Sequence, residues 1–88
     1  MRWRITIYGK VQGVFYRKST QQKAQQLGLV GWVMNQSDGS VQAEIQGDEN
    51  LLNEMVDWCW QGPPASDVIK IDKTEVPVES DSAFEIRY

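Results

Sequence analysis

Two hydrophobic periods alternate along 88 residues in an order that few small folds can satisfy. Residues 3–8 repeat by twos, with Trp3, Ile5 and Ile7 on one face and Arg4, Thr6 and Tyr8 on the other, which predicts a half-buried strand. The period then changes. Residues 17–27 read as a helix, with Tyr16, Thr20, Ala24 and Leu27 on one face and Gln21, Gln22, Gln25 and Gln26 mostly off it, and Gly28 stops it. Val30 to Asn35 reads as a second strand. The turn Gln36-Ser37-Asp38-Gly39 and the alternating run Ser40 to Gln46, with Val41, Ala43 and Ile45 on one face, make it a hairpin. Asp48 and Glu49 suit a helix start by charge. Leu51, Leu52, Met55, Val56 and Cys59 form that helix's apolar stripe, and Gly62-Pro63-Pro64 ends it. Residues 68–78 hold strand material around Ile69 and Ile71, with Pro77 marking an edge or irregular stretch. Glu79 to Ser82 is a polar loop, and Ala83 to Tyr88 alternates with Phe84, Ile86 and Tyr88 inward.

The order strand, helix, strand, strand, helix, strand, with an extra final strand, is the split βαβ pattern. It predicts an α+β, ferredoxin-like βαββαβ sandwich in which two helices cover one face of an antiparallel sheet. The length suits one domain over residues 1–88 and is short for two. Such a fold hosts many activities and decides none of them.

Composition narrows the chemistry. The net charge of −3 argues against a polyanion such as nucleic acid as the main partner, which wants a broad basic surface. Histidine is absent, which removes the commonest general base and the commonest metal ligand. The single cysteine, Cys59, permits no intrachain disulfide and reads as a buried small hydrophobe. No segment resembles a signal peptide or a membrane span, so a cytoplasmic protein is expected. Asp38 and Asp48, the two carboxylates nearest to a base role, are accounted for by a turn and a helix start. The acidic stretch Glu75 to Asp81 reads as a solvated edge and loop.

One loop stands apart. Gly9-Lys10-Val11-Gln12-Gly13-Val14-Phe15-Tyr16-Arg17 joins the first strand to the first helix with two glycines, no acidic residue and a closing arginine. Glycine lets such a loop turn successive N–H groups toward one point, and these make an anion-binding concavity that the helix start reinforces. Arginine is unfavourable at the positive end of a helix unless an anion is present, and its planar fork fits two phosphate oxygens. The loop reads as a phosphate cradle formed by the backbone of Gln12, Gly13, Val14, Phe15, Tyr16 and Arg17, with the Arg17 side chain. Asn35, at the end of the second strand, can be brought beside it. Its amide could fix a water in line for attack on phosphorus. That scheme suits an activated phosphate with a good leaving group, because nothing near the loop protonates an alkoxide. Trp32 reads as core or pocket wall. Of Trp58 and Trp60, which cannot share a face with Cys59, one is expected to be partly exposed.

Val11-Gln12-Gly13-Val14-Phe15-Tyr16-Arg17 resembles the signature of the acylphosphatase family. Leu27-Gly28-Leu29-Val30, Gly31-Trp32-Val33-Met34-Asn35 and Asp38-Gly39-Ser40-Val41 are similar to its second region, and Phe84-Glu85-Ile86-Arg87-Tyr88 to its last strand. The resemblance implies an enzyme that hydrolyses the carboxyl–phosphate anhydride of small acyl phosphates without metal or organic cofactor, and the small size and lack of a long apolar surface helix favour a monomer. The resemblance puts the essential arginine at Arg17 and the water-orienting asparagine at Asn35, and it implies inorganic phosphate as product and competitive inhibitor. Two departures are visible. Gln36 stands where a threonine or an apolar residue is frequent, so a supporting hydroxyl contact is missing from the pattern, and Lys10 stands where arginine is common. No motif side chain reads the acyl group, so broad tolerance is expected. The alternative is a non-catalytic module that binds a small anion such as phosphate.

Overall fold

A computed structural model describes all residues from Met1 to Tyr88. The elements follow the expected order: β1 (Arg2–Lys10), α1 (Tyr16–Gln26), β2 (Val30–Asn35), β3 (Val41–Gln46), α2 (Glu49–Gln61), β4 (Asp67–Val76) and β5 (Phe84–Arg87). The strands lie in the order β4-β1-β3-β2-β5. β1 is interior, but β3 is the central strand.

The sheet is not wholly antiparallel. β1 pairs antiparallel with β3 and β4, and β2 antiparallel with β3, but β5 runs parallel to β2 with Val33 opposite Ile86. Alternation along Ala83 to Tyr88 carries no information about strand direction, so the sequence pattern could not disclose this. The topology has a direct consequence. β1 and β2 both run against β3, and β5 runs with β2, so the C-terminal ends of β1, β2 and β5 emerge at one edge of the sheet. α1 begins at the same edge.

Both helices cover the face that carries Ile5, Ile7, Val33, Val41, Ala43 and Ile45, which joins Ala24 of α1 and Leu52, Met55 and Cys59 of α2 in one buried cluster. Asp48 caps α2 through its carboxylate, which accepts from the Asn50 N–H at 2.9 Å. Trp60 is the exposed member of its pair, and Trp58 packs on Tyr16 with ring centroids 5.9 Å apart. Trp32 lies on the opposite sheet face, beneath the Arg87 guanidinium.

That opposite face holds a charge network at positions the sequence pattern left to solvent. Arg2 is buried, and its guanidinium donates to Glu44 at 2.6 Å, Gln46 at 3.1 Å and Asp81 at 2.9 Å. Arg4 donates to the other Glu44 oxygen at 2.8 Å. Gln46 and the Glu79 backbone exchange two hydrogen bonds of 2.8 Å, so the segment after β4 is solvated, as expected, but also strapped to the sheet. Burial alone would push the Glu44 carboxyl up, but hydrogen bonds and attraction from Arg2 and Arg4 outweigh it and hold Glu44 below its ordinary value of 4.5.

The sign of the pH dependence follows. A carboxyl whose folded pKa is depressed contributes stability above its unfolded pKa and loses it as pH falls through the folded value. Glu44→Gln removes one partner of a buried pair and is expected to cost about 3 kcal/mol at neutral pH. It is also expected to flatten the acid limb of stability against pH. Urea unfolding from about pH 7 to about pH 3 checks both, and an unchanged acid limb would count against a charged Glu44 in the fold.

Candidate active site

The cradle loop is pinned from within. A register shift between Tyr8 and Gly9 turns the end of β1, and a Cβ at Gly9 would collide with the Asp67 carbonyl oxygen. Val11 and Val14 then bury their side chains in the core, so the peptides between and after them are left at the surface. Gly13 stands at φ 74 and Phe15 at φ 64, both in the left-handed region. α1 has no side-chain N-cap and no acidic residue in its first turn. The backbone N–H groups from Gln12 to Lys18 donate to no other group of the protein, and the first helical bond is Ser19 to the Phe15 carbonyl at 3.0 Å. A helix start normally leaves such donors for a cap, water or a ligand.

A cavity of about 350 Å³ opens here, and Gly13, Phe15, Arg17, Lys18, Asn35 and Tyr88 are among the residues that line it. Arg17 and Lys18 bring positive charge, and no carboxylate side chain lines the space. The Arg17 guanidinium rests over the Tyr88 ring, 4.8 Å from its centroid, and its nearest oxygen contact, the Arg87 carbonyl, is long at 3.5 Å. Its fork is therefore free of strong partners. Asn35 closes the other side. It ends β2 opposite Val41, and its Oδ1 is buried with no donor from the protein. An acceptor left in that condition costs about 1–3 kcal/mol, and Thr20 Oγ1 in α1 is buried without a partner in the same way.

Arg17 and Asn35 thus share one cavity, as the sequence reading expected. Gln12 and Val14 do not line it with side chains. Val14 is core, and the Gln12 amide donates to the carbonyls of Gln36 at 2.8 Å and Ser40 at 2.9 Å, which ties the cradle loop to the turn that follows Asn35. In that turn the Ser40 hydroxyl lies 2.8 Å from Gln36 Oε1 and 2.6 Å from Asp38 Oδ1, two acceptors that share its single hydrogen. Hydrogen bonds from the Ser40 hydroxyl and backbone hold the Asp38 carboxyl below its usual range, and it is spent in the turn rather than presented as a base.

Tyr16 is buried, and its O–H donates to the Cys59 carbonyl, which fastens the start of α1 to α2. Burial pushes the Tyr16 phenol far up and the Cys59 thiol up to about 12, so neither ionises in the working range. Trp32 is on the far face and forms no wall of the cavity. Tyr88 is not inward: it follows the end of β5, is 96% exposed, and lies under Arg17. Lys18, Ile86 and Tyr88 are lining residues that the motif reading did not single out.

The acylphosphatase family profile matches residues 3–86. The chain belongs to the acylphosphatase family. It is 49% identical to an acylphosphatase of Synechococcus sp. (strain RCC307) over 98% of this chain and 74% of that protein. Among solved structures it is similar to an acylphosphatase from Coxiella burnetii, at 40% identity and TM-score 0.95 over 98% of this chain and 90% of that one. It is similar also to the acylphosphatase from Bacillus subtilis, at 38% identity and TM-score 0.95 over 99% and 98%. This acylphosphatase-family chain thus matches those two structures over 90% or more of their length.

Tyr88 gives this site a test. Tyr88→Ala removes an exposed ring from beneath the guanidinium and is expected to weaken inorganic phosphate binding about two- to fivefold while leaving thermal stability unchanged. Calorimetric titration with phosphate and a melting curve measure the two, and unaltered phosphate affinity would contradict the support given to Arg17.

Proposed function

We propose that this chain hydrolyses acyl phosphates to a carboxylate and inorganic phosphate, with Arg17 and the N–H groups of Gln12, Gly13, Val14, Phe15, Tyr16 and Arg17 holding the phosphate. The observation that carries the reading is Asn35, which lines the same cavity as Arg17 while its Oδ1 finds no donor within the protein. A water held by the Asn35 side-chain amide presents a lone pair to the phosphorus opposite the leaving carboxylate. The new bond joins the water oxygen to phosphorus as the bond from phosphorus to the acyl oxygen breaks. The electron pair leaves with the carboxylate, a stable anion that needs no acid, and a phosphoryl oxygen takes the water's proton. The lack of a nearby base is consistent with this route. Charge on the phosphoryl oxygens is met by donors already in place, the form of stabilisation that counts most in such sites. Inorganic phosphate then competes with substrate for the same donors.

A small-anion binding module would need the cradle and Arg17 but has no task for the Asn35 acceptor. We also infer a monomeric, cytoplasmic working state. The chain is small, and no helix is long and apolar enough to cross a membrane.

The division of labour predicts two different lesions in benzoyl phosphate hydrolysis. Asn35→Ala is expected to lower kcat by about 10²–10³ while the inhibition constant for phosphate stays within about threefold. Arg17→Ala is expected to lose turnover and phosphate inhibition together. Similar losses of phosphate affinity in both variants would overturn the assignment of water to Asn35 and phosphate to Arg17.

A further inference from the structure

Phe15 is the cradle residue whose side chain the fold does not use. Its ring is 82% exposed, whereas the side chains of its neighbours Val14 and Tyr16 are buried. Its backbone stands at φ 64, and it is the one non-glycine residue of the chain with positive φ. That region is costly for a bulky residue, while glycine enters it freely and asparagine with less strain. Backbone strain and an exposed apolar ring both lower stability here, so folding does not account for a phenylalanine at this position.

The cavity does account for it. Arg17, Lys18 and Asn35 are polar side chains of its lining, and Phe15, Ile86 and Tyr88 are apolar or aromatic ones. The volume of about 350 Å³ falls at the small end of the range for sites that take organic ligands. A water molecule claims about 30 Å³ of the liquid, so a phosphate group alone leaves most of this space unfilled. Two exposed aromatic rings and an isoleucine beside the unfilled part suit the face of a planar or chain-like apolar group.

We propose that Phe15, with Ile86 and Tyr88, forms an acyl subsite that selects aryl and longer apolar acyl phosphates over acetyl phosphate. This rests on the reading of the cradle as an acyl phosphate site, and it departs from the broad tolerance that the motifs alone suggest. Tyr88 also supports Arg17, so a change there alters two things at once. Phe15 is the cleaner position, and Phe15→Gly and Phe15→Asn both remove the ring while accepting a left-handed backbone.

Phosphonates separate binding from turnover, because their phosphorus–carbon bond is not hydrolysed. The wild-type protein is expected to bind benzylphosphonate about tenfold more tightly than methylphosphonate by calorimetric titration, a gap in the range of one good aromatic contact. In both variants the gap is expected to shrink to about twofold, and the ratio of kcat/KM for benzoyl phosphate over acetyl phosphate to fall in parallel. Because the readout is a ratio, a general loosening of the loop cancels from it. A wild-type ratio near one, or a ratio unchanged in both variants, overturns the subsite. A binding gap that closes in the variants while wild-type protein hydrolyses neither acyl phosphate upholds the subsite and sinks the hydrolase reading. Equal turnover of both substrates by all three proteins does the reverse.

Discussion

Consecutive backbone N–H groups from Gln12 to Lys18 find no acceptor inside the protein, and much of the structure serves to keep them in that state. Free donors at a helix start ordinarily attract a serine, threonine or aspartate cap. Here the N-cap position is Phe15, and the first turn carries Arg17 and Lys18 instead of an acid. Val11 and Val14 anchor the loop to the core, Tyr16 bolts the helix start to α2, and the Gln12 amide ties the loop to the β2–β3 turn. The donors are thus fixed before any anion arrives, so little reorganisation is left for the moment of binding.

Sheet topology does the rest. Because β1 and β2 run against β3 and β5 runs with β2, three strand ends meet at one edge, and each brings a different group. β1 delivers the cradle, β2 delivers Asn35, and β5 delivers Ile86 and Tyr88. The residues that line the cavity therefore come from well-separated stretches of sequence. Only the cradle and Arg17 are contiguous, and Asn35, Ile86 and Tyr88 join them when the sheet has closed.

That distance explains what the sequence disclosed and what it withheld. The cradle and Arg17 were legible because they are contiguous, and a cation at a helix start without an acid is a local contradiction that asks for an anion. Asn35 was singled out through the family resemblance, since its place before an Asp-Gly turn alone reads as an ordinary turn residue. Arg2 was not, because nothing in an alternating strand says that its polar face will be covered. Its burial depends on Glu44, 42 positions away, and on the strap that carries Asp81. Tyr88 was misread as inward because alternation was extended past the end of β5 at Arg87, where an exposed ring can pair with Arg17 instead. The parallel pairing of β5 was equally out of reach, since period gives the face of a strand and not its direction.

The central claim is that a water in the Asn35 pocket attacks phosphorus, not the acyl carbon. Hydrolysis of benzoyl phosphate in water enriched in oxygen-18, followed by mass spectrometry of both products, tests it directly. Single-turnover label in inorganic phosphate, with unlabelled benzoate, is the expected result. Label in the benzoate carboxylate would mean attack at the carbonyl carbon and would contradict the roles given to the cradle and to Asn35.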